Sequence, residues 1–408
     1  MGRGHVRLGD RHLLFASTFL RAVSTGMVGV VLGVYLARLE FSPAQVGLTV
    51  GAGLTGAAIA TLVASLAADR IGRRRFLLGV TTLGVAGSVV AALGSSLWVV
   101  ATASFVGMLN GMGRDRGAAL VVEQAVLPAM ATPEQRTGAF AVYHLLQDIG
   151  HALGGLLAGA PSLLQQWGGV AETPSLRAGL GLYAVLLALT LLAYLRLSGA
   201  VEVPLREGRR TLSPRTRGVL RKVCALFALD SVGGGFFTTA LLSFFFHERF
   251  GVGVGVVGLL FFGARVANAL SHLGAAWLAK RIGLVNTMVF THLPSSLLLV
   301  TVAYAPSFPV AAALFLLREG LVEMDVPTRQ SYLMAVVRPE ERTFASGVTH
   351  LVRVGGWAVA PALAGLVMQG VGVATPLLIG AGLKVLYDVL LYVNFRKVKP
   401  PEEREPAP

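Results

Sequence analysis

The chain is dominated by apolar runs of the length a bilayer demands, about 20 residues each. Twelve can be marked out, at approximately 13–36, 44–68, 76–95, 97–122, 138–165, 178–197, 220–246, 254–279, 284–304, 308–329, 344–369 and 373–395. Water is absent from the hydrocarbon, so a spanning backbone must satisfy its own amides, which leaves the helix or the closed barrel. The short alternating segments of a barrel are missing. The expected fold is therefore an all-α membrane protein with twelve transmembrane helices. Only 14% of the 408 residues are charged and 54% are hydrophobic, whereas a soluble protein carries about 25% charged residues. This excludes a soluble enzyme and a disordered chain, and the single cysteine, Cys224, excludes a disulfide scaffold. The first run is too long for a signal peptide and lacks a small-residue cleavage site, so it is expected to be retained.

A formal net charge of +14, from 35 Lys and Arg against 21 Asp and Glu, raises the question of nucleic acid. The distribution answers it. With a cytoplasmic N-terminus, and with Arg196, Arg221 and Lys222 at span ends counted as inside, 24 of the basic residues fall in inside segments, only Arg38, Arg177 and Arg249 fall outside, and eight lie deeper within spans. The positive-inside rule then places both termini in the cytoplasm, and the excess charge faces anionic lipid headgroups rather than nucleic acid. The expected location is the plasma membrane, a bacterial inner membrane in style.

The longest hydrophilic interruption, 198–219, separates six spans from six. A shift of 206 residues lays Pro133–Thr137 over Pro339–Thr343, Gln124 over Gln330 and His144 over His350, and a shift of 211 matches Ile71-Gly72 to Ile282-Gly283. A sequence-ordered set of matches at nearly one offset reads as duplication, giving two pseudo-symmetric six-helix bundles. The expected organisation is an N-terminal bundle 1–197, a cytoplasmic linker 198–219, a C-terminal bundle 220–396 and a cytoplasmic tail 397–408. The loop after the second span reads Asp69-Arg70-Ile71-Gly72-Arg73-Arg74. Gly72 permits a tight turn, the arginines hold the inside surface, and Asp69 is placed to accept from a neighbouring helix terminus.

That loop resembles the G-x-x-x-D-R-x-G-R-R signature of the major facilitator superfamily, with Ser65 at the leading glycine. The likeness extends over essentially the whole chain through the twelve spans, the basic central loop and the repeat. It implies a secondary transporter whose halves rock about a site near the bilayer midplane, with the first, fourth, seventh and tenth helices lining the cavity. Two departures stand out. Drug–proton antiporters of the superfamily carry an arginine in the fourth helix where this chain has Gly107, and their fifth-helix Gly-Pro motif has Gly155 at the proline position.

Sixteen charged residues, eight of each sign, lie within the spans, counting Glu123 at the end of the fourth and leaving out the basic residues at cytoplasmic span ends. Insertion of each costs about 2.5–3.5 kcal/mol, so they are expected to face a bundle interior or a wet cavity. His144, Asp148 and His151 share one helical face. Burial favours the protonated carboxyl, so Asp148 is the leading proton-coupling candidate with His144 and His151 as relays and Asp230 as a further candidate. The competing readings are a fixed ion pair and a metal site. Arg114 and Arg318 are candidate clamps for an anionic group, with Glu319 beside the latter. Arg265, Asn268 and His272 share a face of the eighth helix, and Arg265 and Asn268 are cavity candidates. Arg21 and Asp230 sit at similar depths and match under the repeat, which suggests an ion pair between the halves that forms in one access state and breaks in the other. Lys384 and Asp388, spaced i, i+4, suggest a local pair.

No phosphate-cradling G-x-x-x-x-G-K-[ST] motif is present, so ATP-driven transport is not expected, and neither enzymatic activity nor a cofactor is indicated. The leading expectation is proton-coupled efflux of small organic compounds by alternating access in a monomer, with protons, membrane lipid and a small-molecule substrate as partners. The alternative is uptake or exchange of an organic anion held by Arg21, Arg114, Arg265 and Arg318. A transition-metal exporter is third, and a membrane receptor on the same scaffold is a fourth, minor reading.

Overall fold

A computed structural model describes residues 8–130, 136–202, 213–337 and 341–396. Residues 1–7 with Arg3 and Arg7, Pro133–Gln135 and Pro339–Glu340 of the repeat, residues 203–212 of the linker and the tail 397–408 lie outside the described residues, as does the Gln330 side chain. The described chain is helical throughout: α1 (Leu8–Arg38), α2 (Pro43–Ile71), α3 (Arg73–Leu93), α4 (Leu97–Gly107), α5 (Ala118–Val126), α6 (Arg136–Leu157), α7 (Ala160–Gly168) and α8 (Glu172–Leu195) in the first half. The second half contains α9 (Pro214–Gly235), α10 (Thr239–Phe250), α11 (Val254–Ile282), α12 (Leu284–Ala303), α13 (Phe308–Val322), α14 (Asp325–Val336), α15 (Arg342–Gly370) and α16 (Thr375–Phe395). These make twelve passes, because α4 with α5, α6 with α7, α9 with α10 and α13 with α14 each form one interrupted span. Continuous helices were expected at all four places. Among the described residues nine spans are long and apolar enough to cross a bilayer on those criteria alone. The fourth, fifth and tenth passes fall short.

Local sequence accounts for many of the boundaries. Ser42 and Gln45 form a reciprocal capping box ahead of Pro43 at the start of α2. The turn between α2 and α3 passes through Gly72 at φ +98°, a conformation that side chains rarely tolerate. Asp69 does not cap a helix there. It accepts from Arg73 Nε at 2.7 Å, one turn away, while Glu202 takes the free amides of Arg73 and Arg74 at 2.8 and 3.1 Å. Arg74 donates to the carbonyl of Leu195 at 2.6 Å, tying the loop to the end of α8, and Arg70 is exposed.

Helix packing relies on glycine, as expected where lipid supplies no hydrophobic drive between helices and close backbone approach matters most. Gly87 of α3 and Gly107 of α4 meet directly, and a Cβ on Gly107 would stand 2.8 Å from the Gly87 Cα. An arginine at this position has no room, which is the physical content of that departure from the antiporter pattern. Gly155 has the same use. Its backbone lies against Gly258 and Phe262 of α11, so the proline position serves contact between the halves. Gly47 of α2 meets Gly365 of α15 likewise.

The buried apolar residues are divided unevenly. One continuous cluster joins both halves on the side remote from the termini, from Val28–Leu36 of α1 through Ala240–Phe246 of α10 to Ala360 and Ala364 of α15. Toward the termini the apolar packing splits. Leu220, Phe227, Met288, Tyr387 and Phe395 form one cluster within the second half, while Leu14, Leu77, Val122 and Tyr194 form another within the first. The molecule is closed at the far side and divided on the side of the termini.

Candidate transport site

The interruptions place irregular backbone at mid-depth, which a membrane tolerates only where it is buried in protein or lines a cavity. Between α4 and α5 the chain runs Met108-Leu-Asn-Gly-Met-Gly-Arg-Asp-Arg-Gly117, with Met108 at φ 53° and Gly113 at φ +67°. Asn110 braces it, accepting from the Met112 amide at 3.0 Å and donating to the Arg114 carbonyl at 2.8 Å. The segment docks on the other half. The amide of Ala240 donates to the Gly111 carbonyl at 2.9 Å and Thr239 Oγ1 to the Met112 carbonyl at 2.8 Å. The seventh pass breaks after Gly233-Gly234-Gly235, and α10 restarts with Thr238 accepting from the Leu241 amide.

These breaks border a cavity of about 750 Å³ including its open mouth, lined by residues of both halves. Seven cationic side chains line it, Arg114, Arg116, Arg265, Arg318, Arg329, Arg353 and Lys384, against four carboxylates, Asp230, Glu319, Glu323 and Asp325. Each carboxylate has its own cation. Glu323 takes Arg114 at 2.7 Å, Asp325 takes Arg329 at 2.8 Å, Asp230 takes Lys384 at 2.7 Å, and Glu319 takes Arg318. Three guanidiniums are left over: Arg116, Arg265 and Arg353. Among the described residues Arg265 bonds only neutral oxygens, Asn268 Oδ1 at 3.3 Å and the Gly113 carbonyl at 3.4 Å. Arg353 reaches Asp230 at 3.9 Å, a carboxylate already shared by Lys384 and by Arg329 at 3.2 Å. Phe237, Phe261, Phe315 and Trp357 supply the aromatic lining.

Several expectations about pairing need correction. In this conformation Arg21 and Asp230 do not bond across the halves. Arg21 is 6% exposed and holds Glu123 at 2.6 Å and Asp115 at 2.8 Å. Tyr143 and Tyr194 also donate to Glu123, at 2.7 and 2.6 Å. Asp230 is served by Lys384 and Arg329 instead. Each half thus makes its own pair between its first and fourth passes, Arg21 with Glu123 and Asp230 with Arg329, and the repeat exchanges the signs. Among the described residues the ion pair that does cross the halves is Arg114–Glu323, and Arg114 also donates to Asn268 Oδ1 at 2.5 Å. Arg114 is therefore occupied rather than free to clamp. Lys384 and Asp388 do not neutralise each other: Asp388, fully buried, bonds His292 Nδ1 at 2.9 Å, and Lys384 turns to Asp230. Arg318 and Glu319 bond one another despite being sequence neighbours, and Asn268 Nδ2 donates to Glu319 Oε2 at 2.8 Å.

The fifth-pass face does not form one cluster. His151 is buried and accepts from the Asp115 amide at 2.8 Å, His144 is exposed and meets Gln147 at 3.2 Å, and Asp148 is exposed. The burial on which the coupling argument for Asp148 rests is absent in this conformation. Asp148 lies within electrostatic reach of Arg114 and Arg265. No three His, Cys, Asp or Glu side chains converge among the described residues, so the metal-exporter reading gains no support. Sequence reasoning passed over His292 and Trp357 altogether and left Arg353 without a role. A signal existed only for Trp357, which falls on His151 under the 206-residue shift.

Twelve membrane passes in two six-helix bundles around a charged cavity at the level of helix breaks define a secondary transporter of small molecules by architecture. The chain belongs to the Major Facilitator Superfamily, whose family model matches residues 14–324 and 223–408. It is 24% identical to the Saccharomyces cerevisiae protein described as uncharacterized membrane protein YJR124C, over 95% of this chain and 94% of that protein. Among solved structures it resembles the nucleoside transporter NupG (TM-score 0.73, 17% identity, 95% of this chain and 99% of that one). It also resembles a bacterial homologue of the human lysosomal transporter Spinster in an inward-facing, occupied conformation (TM-score 0.73, 15% identity, 98% of both chains).

Proposed function

We propose that this protein moves a small organic anion across the membrane by alternating access. The observation that carries the proposal is the charge matching in the cavity: four carboxylates each hold a cation, and Arg116, Arg265 and Arg353 remain unmatched. Unpaired charge in a membrane interior is expensive and usually functional, and guanidinium is the side chain suited to carboxylate and phosphate. Fold alone does not choose a cargo. The moving units in this proposal are 1–197 and 220–396, joined by 198–219. With both termini cytoplasmic, as the distribution of basic residues favours, the conformation described above is open inward.

Proton-coupled efflux through Asp148 stands as the second reading, because that fifth-pass carboxylate enters no ion pair among the described residues and is not committed to another charge. Transport in proteoliposomes separates the two. Anion movement is expected to be saturable and selective for organic acids over neutral analogues of equal size, and to persist in Asp148→Asn. If neutral compounds are moved equally well, with a ligand-driven pH change that Asp148→Asn abolishes, the anion proposal is overturned in favour of coupling.

A further inference from the structure

Surplus cavity charge does not by itself locate a bound anion. Arg116 and Arg353 approach from opposite halves and lie against one indole, their Cζ atoms 4.6 and 4.8 Å from the centroid of the Trp357 ring. Arg116 stands on the irregular segment just before α5, and Arg353 and Trp357 are one turn apart on α15. Trp357 is 6% exposed. The glycines of α9 back it so closely that a Cβ on Gly234 would stand 3.4 Å from the indole nitrogen. Among the described residues the side chain of Arg116 has the indole as its partner and no hydrogen bond or ion pair, while Arg353 has its Nε buried without a hydrogen bond and only the 3.9 Å approach of its Nη2 to Asp230. The ring face attracts both cations but cancels neither charge.

We propose that Arg116, Arg353 and Trp357 form the subsite for the substrate's oxyanion, a carboxylate or phosphate carried on an aromatic or apolar body. This rests on the anion reading above and specifies its site. Two guanidiniums offer unspent forked donors that match the planar or tetrahedral oxyanion, while Phe237, Phe261 and Phe315 of the same cavity accommodate the body. One arginine belongs to each half, so the bound anion neutralises a repulsion between the halves and bridges them.

Trp98, Trp167 and Trp277 are exposed by 72, 83 and 56%, so replacing them with phenylalanine leaves Trp357 as a single reporter. The full chain in nanodiscs is titrated with benzoate, phenyl phosphate and the neutral benzamide while Trp357 emission is followed. A saturable change is expected with benzoate if the oxyanion is a carboxylate, with phenyl phosphate if it is a phosphate, and none with benzamide. Arg116→Gln and Arg353→Gln are each expected to weaken binding at least about tenfold, and together by less than the product of the two, because they hold one group. Arg116→Lys and Arg353→Lys keep the charge and lose the fork, so an intermediate weakening supports the subsite even where a glutamine variant fails to fold. If the parent binds an oxyanion and all four single variants bind it within twofold, the subsite is overturned while the anion reading survives. If neither oxyanion alters the parent's emission, both are overturned.

Discussion

Arg21→Met tests the buried charge cluster of the first half, and its cost can be worked from the geometry. Arg21 lies 2.6 Å from Glu123 and 2.8 Å from Asp115. At an effective dielectric near 20, one such contact corresponds to a gross attraction of about 6 kcal/mol, most of which offsets the desolvation of the partners. The net value of the pair is therefore small, but removing one partner is not. Methionine preserves the apolar stem and leaves Asp115 and Glu123 buried without a cation, a loss of about 3–5 kcal/mol. Glu123→Gln keeps an acceptor oxygen for one of the two tyrosine hydroxyls and leaves Asp115 to Arg21, so its cost is lower, about 1–3 kcal/mol. The double variant carries one unpaired carboxylate rather than two, and its loss should fall short of the sum by at least about 1 kcal/mol. For a bundle of this size each kcal/mol moves the melting temperature by about 2–4 °C, so Arg21→Met should melt about 10 °C below the parent. Thermal melts of ligand-free protein in micelles, followed by tryptophan fluorescence, measure all four corners of the cycle. A cost below about 1 kcal/mol for Arg21→Met, or losses that add within about 0.5 kcal/mol, refutes the reasoning.

Three further outcomes are expected. Gly365→Ala places a Cβ 2.5 Å from the Pro43 carbonyl and 2.8 Å from the Gly47 Cα; a strain of about 1–3 kcal/mol on the closed side should shift the population toward the alternative state roughly tenfold or more. Spin-label distances between α2 and α15 read that shift, and an unchanged distribution contradicts it. Lys384→Met leaves Asp230 to Arg329 and Arg353, so it should cost only about 1–2 kcal/mol, well below Arg21→Met in the same melts, and a loss as large as that of Arg21→Met contradicts it. Glu202→Ala removes the acceptor for the first amides of α3 and should cost about 1 kcal/mol, seen as faster hydrogen exchange at Arg73 and Arg74 than elsewhere in that helix.

Much of the fold was legible because its determinants are local. Apolar length marks a span without reference to any other span, and Gly72 demands its turn wherever the neighbouring helices lie. The breaks in the fourth and seventh passes were not read, although the glycines that make them, Gly111, Gly113 and Gly233–Gly235, are plain in the sequence. Glycine within an apolar run signals close helix packing as readily as interruption, and Gly87 against Gly107 is an instance of packing. The candidate site was legible only as a set of residues. Arg21, Asp230, Lys384 and Asp388 were all recognised as charges in the membrane, yet every pairing assigned to them was different in the structure.

The sequence by itself determined the twelve passes, the duplication and the balance of eight positive against eight negative charges inside the membrane. Those properties follow from composition, spacing and the solvent. Only the tertiary structure decided how the balance is divided. A carboxylate can be spent on any cation that packing brings within reach, and packing brought Asp115 and Glu123 to the single Arg21, and His292 to Asp388. With those acidic groups committed elsewhere, a membrane interior that is neutral overall encloses a cavity with three arginines to spare.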